Sequence, residues 1–361
     1  MPCYHPLKAF KIGKRDNGKD YLKICSYAVD HVELDSSGAL IPTVLAYVSD
    51  RAERVYRDWI QIPCGQCIGC RLDYSRQWAD RCLMELQYHK SSYFVTLTYD
   101  DLHVPVTYYS KNEDGEAIPA YSLKKRDLQL FFKRLRANTG QQIRMFSCGE
   151  YGSESARPHY HCIIFGLELD DLVPYKRSHE GFQYFNSETV QAAWRGFAYD
   201  SFGHKVDGTY GDLGYAVVAN VSWETCAYVA RYVTKKAGSF AKEFYDAHNL
   251  EYEFTLMSRR PGIARQFYED HHDDFYIDRL DHLSISTPDG GRQLRPPRYF
   301  DSLFDLEDPE SMREIKEHRK EIVEDLWKMR VQQTGKSYLE LLASMEVNKK
   351  DKIKCLKRSE I

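Results

Sequence analysis

The sequence predicts an α+β protein. A domain over residues 91–240 has a central antiparallel β-sheet flanked by helices, with a cysteine-rich region over 1–90 before it and a mainly helical extension over 241–361 after it. Three observations carry this prediction. Between residues 91 and 240, runs rich in β-branched and aromatic residues alternate with amphipathic stretches, in the order strand, helix, strand, strand, helix, strand, helix. Gln142 to Glu150 reads as a strand, Tyr151 to Pro158 as a polar, glycine-containing loop, and the stretch Arg157 to Phe165 as the start of the next strand, the layout of an antiparallel hairpin. Beyond residue 300, Ser311 to Gln333 and Tyr338 to Lys354 are highly charged stretches that read as helices with solvated or partner-facing surfaces.

Taken in order, Met1 to Asp58 gives short strand signals broken by Gly and Pro. Cys64-Gly65-Gln66-Cys67-Ile68-Gly69-Cys70 then spaces three cysteines by two residues with turn-forming glycines between them. This spacing suits a zinc knuckle, and packed free thiols are the bland alternative. A zinc site wants four ligands; Cys3, His5, Cys25 and Cys82 are the candidates for the fourth, and Cys3 is the expected one. Arg71 to Lys90 reads as a helix, and Tyr93 to Tyr99 as a strand. Asn112 to Gly115 reads as a turn. Ser122 is expected to cap a helix that runs through Asn138 and stops at Gly140, burying Leu123, Leu128, Phe131, Phe132 and Leu135.

After the hairpin, Leu167 to Gln183 has no clear period and reads as an insertion. Ser187 to Gly196 reads as a short helix, Gly203 to Gly214 as a loop and Tyr215 to Val221 as a strand. The next helix has Ser222 as N-cap, Glu224 in the first turn, Lys235 and Lys236 in the last and Gly238 past the end. Tyr228 and Tyr232 stand at i and i+4 and so share a face, with Lys235 on or near it. Core packing is the ordinary use of such a tyrosine pair; the nearby lysine fits it less well. Ser258 to Gly262 is a basic turn. Gly335-Lys336-Ser337 resembles the end of a phosphate-binding loop, but the leading glycine is missing and a helix precedes it, so an ATPase reading is rejected.

The chemistry lies in the hairpin. Residues two apart on a strand share a face, so His159 and His161 present two imidazoles together while Tyr160 points away. Two neutral imidazoles are half of a divalent-metal site, which a carboxylate commonly completes. The hairpin can place Glu150 beside them. Such a three-ligand set leaves positions open for phosphate oxygens and water, which suits Mg²⁺ or Mn²⁺.

Composition adds bounds. The formal net charge is -3, yet Lys124, Lys125, Arg126, Lys133, Arg134, Arg136 and Arg144 gather just before the histidines, a usable phosphate track. The candidate DNA contacts are Lys124, Lys125, Arg144, Arg157 and Lys236. The 27 tyrosines include residues able to stack on bases or act as nucleophiles. No stretch reads as a signal peptide or membrane span, so the ten cysteines are expected to be reduced thiols.

Three motifs in this order resemble the HUH endonucleases (histidine-hydrophobe-histidine) that initiate rolling-circle replication. FVTLTY at Phe94 to Tyr99 matches the first motif, and Glu150 with His159-Tyr160-His161 the second, although Tyr160 stands where the family has an aliphatic residue. YVARYVTKK at Tyr228 to Lys236 matches the two-tyrosine motif. The CGQCIGC and SRRPG stretches further resemble the replication initiators of gokushovirus-like microviruses, small phages with circular single-stranded DNA. The resemblance implies a metal-dependent nickase and strand-transferase. Tyr228 and Tyr232 would be its nucleophiles and Lys235 would stabilise charge. Phage replicative-form and single-stranded DNA, a host helicase and a host DNA polymerase would be its partners in the host cytoplasm. Two alternatives stay open: a non-catalytic zinc-containing DNA-binding protein centred on the cysteines, and a plasmid relaxase or single-strand transposase with the same chemistry.

Overall fold

The computed structural model describes residues 2–16, 18, 20–110, 117–152, 154–178, 181–200, 204–222, 225–226, 229–230, 239–276, 283–287 and 290–354. They fall into two compact units, one formed by Met1–Asp73 with Ile322–Glu360, the other by Tyr74–Glu321. The turn expected at Asn112 to Gly115 lies outside the described residues, as do Tyr228, Tyr232, Lys235 and Lys236.

In the first unit the weak strand signals become two three-stranded antiparallel sheets. Leu7–Lys14 pairs with Asp20–Ser26 and Trp59–Ile62. His31–Asp35 pairs with Leu40–Thr43 and Ala52–Tyr56. Phe10, Cys25, Val29 and Val32 form their shared core. Helix α1 (Ile68–Leu86) starts three residues earlier than the sequence suggested, inside the cysteine run, because the Arg71 amide already donates to the Cys67 carbonyl at 3.0 Å. It also ends earlier: Gln87, Tyr88 and His89 bond to carbonyls three residues back, the tightened last turn that closes a helix.

The second unit is built on a seven-stranded sheet whose paired neighbours are all antiparallel. Its strands are β1 (Ser92–Thr98), β2 (Arg144–Tyr151), β3 (Pro158–Phe165), β4 (Val173–Arg177), β5 (Gln183–Asn186), β6 (Ala216–Asn220) and β7 (Phe254–Met257). Their spatial order is β4-β5-β6-β1-β3-β2-β7. Two departures from the sequence reading concern this sheet. The expected insertion at Leu167 to Gln183 holds β4, which pairs with β5 at the sheet edge; its residues are exposed, so no burial period marks it. Strand β7 comes from the stretch assigned to the helical extension, and its half-buried residues show no alternation either.

The period of two in β3 divides the core. Tyr160, Cys162 and Ile164 face helix α2 (Lys125–Thr139), which buries Leu128, Phe131, Phe132 and Leu135 against them, with Trp194 alongside. Each such buried side chain stabilises the docking by about 1.5–3 kcal/mol. Helix α2 ends at Gly140, whose φ of 67° is the left-handed conformation that glycine adopts freely. Its start corrects the sequence reading. The N-cap is Lys124, in extended conformation and without a side-chain cap; the Ser122 hydroxyl instead accepts the Glu251 amide at 3.0 Å. Helix α3 (Glu188–Ala193) does begin as expected, the Ser187 hydroxyl accepting the Val190 amide.

The opposite face of the sheet carries Phe94, Phe146, Cys148, Ile163 and Phe165. It is covered by Trp78, Ala79 and Cys82 of α1 and by Cys226, Val229 and Ala230. Ser222 accepts the Thr225 amide at 3.3 Å, the capping geometry expected there. Further along are helices α4 (Ser239–Ala247), α5 (Arg265–Tyr276), α6 (Arg298–Glu307), α7 (Pro309–Thr334) and α8 (Tyr338–Lys354), the last two close to their expected bounds. The Gly335-Lys336-Ser337 stretch is a helix junction. Ser337 and Glu340 bond each other's amides in a capping box that opens α8.

Candidate metal centre

Strand register builds the first donor set. Glu150 pairs with His159 across β2 and β3, and His161 pairs with Thr96 across β3 and β1. Residues in register share a face, so Glu150, His159, His161 and Thr96 all lie on the side that packs against Cys226, Val229 and Ala230. Both imidazole Nε2 atoms converge on Glu150 Oε1, at 2.7 Å from His159 and 2.9 Å from His161. The three ligand atoms lie within 4.8 Å of one another. The two rings stand nearly perpendicular, at 86°. Glu150 and His161 are buried, at 2% side-chain exposure, whereas His159 is 21% exposed, so the centre opens to solvent on the His159 side.

The outer nitrogens decide what the inner ones can do. His159 Nδ1 lies 3.2 Å from the Arg157 carbonyl, which only accepts, so that nitrogen carries the proton. A neutral His159 then turns its Nε2 lone pair towards a carboxylate oxygen. His161 Nδ1 meets the Thr96 hydroxyl at 3.1 Å, and Phe94 stacks on its ring at 5.5 Å. At 2.7 and 2.9 Å these contacts are met either by a proton on each Nε2 or by a cation held between the two nitrogens and the carboxylate oxygen. Burial pushes the Glu150 carboxyl up, but hydrogen bonds and charge from His159 and His161 outweigh it and hold it at about 2. The donor set of one carboxylate and two imidazoles, each with a partner on its outer nitrogen, fits a divalent cation.

Tyr160 has its own reason for standing between the histidines. Its hydroxyl accepts the Lys124 amide at 3.0 Å and meets the Tyr99 hydroxyl at 3.0 Å; Tyr99 in turn donates to Asp127. An aliphatic residue would leave the part-buried Lys124 amide at the head of α2 without that partner.

The other expected residues divide. Arg157 lies by the centre: its carbonyl orients His159, and its guanidinium pairs with Asp101 at 2.6 Å and with the Tyr99 carbonyl. Lys124 is tied to Tyr160 on the other side of the sheet, its ammonium 3.3 Å over the Tyr199 ring, with burial pushing its pKa down. Lys125 lies over Phe254 and its amide donates to Glu251. Arg144 is six residues along β2 from Glu150, about 20 Å, held by Glu85 and the Gly262 carbonyl. Thr96 and Phe94 were missed: alternation within Tyr93 to Tyr99 puts them on one face, and only the pairing of β1 with β3 makes it the histidine face. Replacing Thr96 by valine is expected to weaken Mn²⁺ binding by about 10–100-fold with little change in melting temperature; calorimetric titration checks it.

A second donor set lies in the first unit. Cys3, Cys64, Cys67 and Cys70 bring their sulfurs within 4.8 Å of one another. The other candidates for the fourth position are engaged elsewhere: His5 bonds Glu346 at 2.9 Å, Cys25 packs with Phe10, and Cys82 sits in the core under the sheet.

The chain is 31% identical over 301 residues to the replication-associated protein ORF2 of Spiroplasma virus 4, covering 82% of this chain and 85% of that protein. It belongs to the phage replication-associated proteins. The family described as Replication-associated protein ORF2/G2P matches residues 92–237, the stretch from β1 through the end of the tyrosine motif. Replication-associated protein VP4 of Bdellovibrio phage phiMH2K is 27% identical over 274 residues, covering 73% of this chain and 74% of that protein. Replication-associated protein ORF4 of Chlamydia phage 1 is 29% identical over 187 residues, covering 48% and 38%. No solved structure matches the chain. In this family member the Glu150 centre falls inside the matched stretch and the four cysteines outside it. No helix among its described residues is long and apolar enough to cross a membrane.

Proposed function

We propose that this chain initiates rolling-circle replication as an HUH endonuclease, nicking one strand at a phage origin and later rejoining the displaced strand into a circle. The observation that carries this reading is the convergence of Glu150, His159 and His161 on one point of the sheet face against which Cys226, Val229 and Ala230 pack. In sequence, Val229 and Ala230 lie within the two-tyrosine motif and Cys226 just before it.

Glu150, His159 and His161 would hold Mg²⁺ or Mn²⁺, which when bound supplies Lewis-acid polarisation of the scissile phosphate. A Tyr228 or Tyr232 phenolate attacks phosphorus and the bond to the 3′ oxygen breaks. The products are a 5′-phosphotyrosine and a 3′-hydroxyl able to prime synthesis. Lys235 would stabilise charge on the tyrosine or the phosphoryl oxygens. Attack of a 3′-hydroxyl on the phosphotyrosine runs the step backwards. One phosphodiester replaces another, so rejoining needs no nucleotide hydrolysis. Replicative-form and single-stranded phage DNA are the substrates, with a host helicase and polymerase as partners in the host cytoplasm. The sulfur-only donor set suits Zn²⁺ and takes no part in the transfer.

The test is to incubate the full chain with end-labelled single-stranded origin DNA and Mn²⁺ and separate the products under denaturing conditions. A covalent protein–DNA adduct dependent on the metal is expected. Tight binding without any adduct would favour the non-catalytic DNA-binding reading.

A further inference from the structure

The cysteine set has the geometry of a filled site. Sulfurs on a tetrahedral Zn²⁺ with bonds of about 2.3 Å lie about 3.8 Å apart. Here Cys3 and Cys64 are separated by 3.6 Å, Cys3 and Cys67 by 3.9 Å, and Cys64 and Cys70 by 4.0 Å. Disulfide sulfurs stand about 2 Å apart, far closer.

The backbone is arranged for charged sulfur. The Cys64 amide points at Cys3 Sγ (3.2 Å), Cys67 at Cys64 (3.3 Å), Cys70 at Cys67 (3.5 Å), and Tyr4 also at Cys67 (3.2 Å). A neutral thiol is a weak acceptor, whereas a thiolate accepts several such bonds. The glycines fit the same purpose. Gly65, at φ 75°, makes the turn after Cys64, and a Cβ on Gly69 would stand 2.1 Å from the Pro2 carbonyl oxygen. Gly69 thus lets the segment bearing Cys3 lie directly on the start of α1.

Around the sulfurs, Tyr4, Cys67 and Leu342 form a buried cluster against which Trp327, Tyr338 and Met345 pack. Leu342, Tyr338 and Met345 belong to α8, and the bond from His5 to Glu346 lies on the same helix.

We propose that Cys3, Cys64, Cys67 and Cys70 bind one Zn²⁺ as four thiolates, and that this ion clasps the segment around Cys3 and the cysteine knuckle beneath helix α8. Each thiol gives its proton to solvent as its sulfur–zinc bond forms, four protons per ion, with no change of oxidation state. The ion is independent of the nicking reaction.

The experiment uses the full chain carrying His159→Ala and His161→Ala, so that the other centre cannot contribute, purified without chelator and then exchanged with Co²⁺. One zinc per chain is expected. After exchange, a sulfur-to-cobalt charge-transfer band in the near ultraviolet and strong tetrahedral visible bands should appear. Adding Cys3→Ser should lower zinc retention under a chelator challenge by at least ~10-fold, while Cys25→Ser should leave it unchanged. Stripping the zinc should speed proteolytic clipping within residues 1–73 by about tenfold or more. Co²⁺ titration without a charge-transfer band would overturn the site, as would a Cys3–Cys64 disulfide in the isolated protein. Clipping indifferent to zinc removal would overturn the clasp.

Discussion

Replacing Glu150 by glutamine is expected to lower metal-dependent strand cleavage by about three orders of magnitude or more while the fold stays intact. The amide has nearly the shape of the carboxylate, so the buried corner between the two imidazoles stays filled. What is lost is the charge. In the wild type the carboxyl is held at about 2 against the push of burial, so it is ionised throughout the working pH range. A glutamine there is neutral at every pH and offers an N–H₂ group to nitrogens that need a cation. Mn²⁺ titration of the variant should show weakened binding in parallel with lost cleavage, while circular dichroism and melting temperature stay close to wild type. Wild-type cleavage by Glu150→Gln would remove the centre from the mechanism.

The second large effect concerns the tyrosines. The double variant Tyr228→Phe, Tyr232→Phe is expected to form no adduct, because each phenylalanine lacks the attacking oxygen. Each single variant should still form an adduct with a simple oligonucleotide, and neither should release unit-length circles over repeated rounds. The reason is one of occupancy. In the proposed mechanism synthesis begins with one cut and must cut again after each round, while the first 5′ end is still bound to a tyrosine. That residue is then spent as a nucleophile, and a second is needed one helical turn away. Cys226, Val229 and Ala230 pack on the sheet face that carries Glu150, and the proposed exchange requires both tyrosines to reach one phosphate held there. If Tyr228→Phe turned over circles like wild type, alternation between two nucleophiles would be refuted.

The sequence revealed those parts of the fold that obey a short period. His159 and His161 stand two apart on a strand, and a hairpin loop fixes which carboxylate meets them. Both facts are local, and both hold in the structure. The gathering of Cys3 with Cys64, Cys67 and Cys70 was an expectation from ligand number, and the chain does bring the four together across more than sixty residues. What escaped depends on partners remote in sequence. Strand β7 is short and half-buried, and its place in the sheet comes only from pairing with β2. Ser122 has the residue type of a cap, but Glu251, far along the chain, claims its hydroxyl. Arg144 reads as a phosphate contact until Glu85 of α1 is seen beside it. Thr96 was visible only once β1 was known to lie next to β3 and not elsewhere in the sheet.

The pairing of β2 with β3 has a consequence for folding itself. Strand side chains alternate between faces, so a hairpin closed one residue out of step would turn the carboxylate and the imidazoles to opposite sides of the sheet. Such a molecule could keep many of its ladder hydrogen bonds and still be blind to divalent ions. If the centre binds a divalent ion as proposed, uptake would act as a proofreading step on strand alignment. A refolding chain would then signal its correct register when it first captures Mn²⁺, and excess ion during refolding would draw the population out of slipped hairpins.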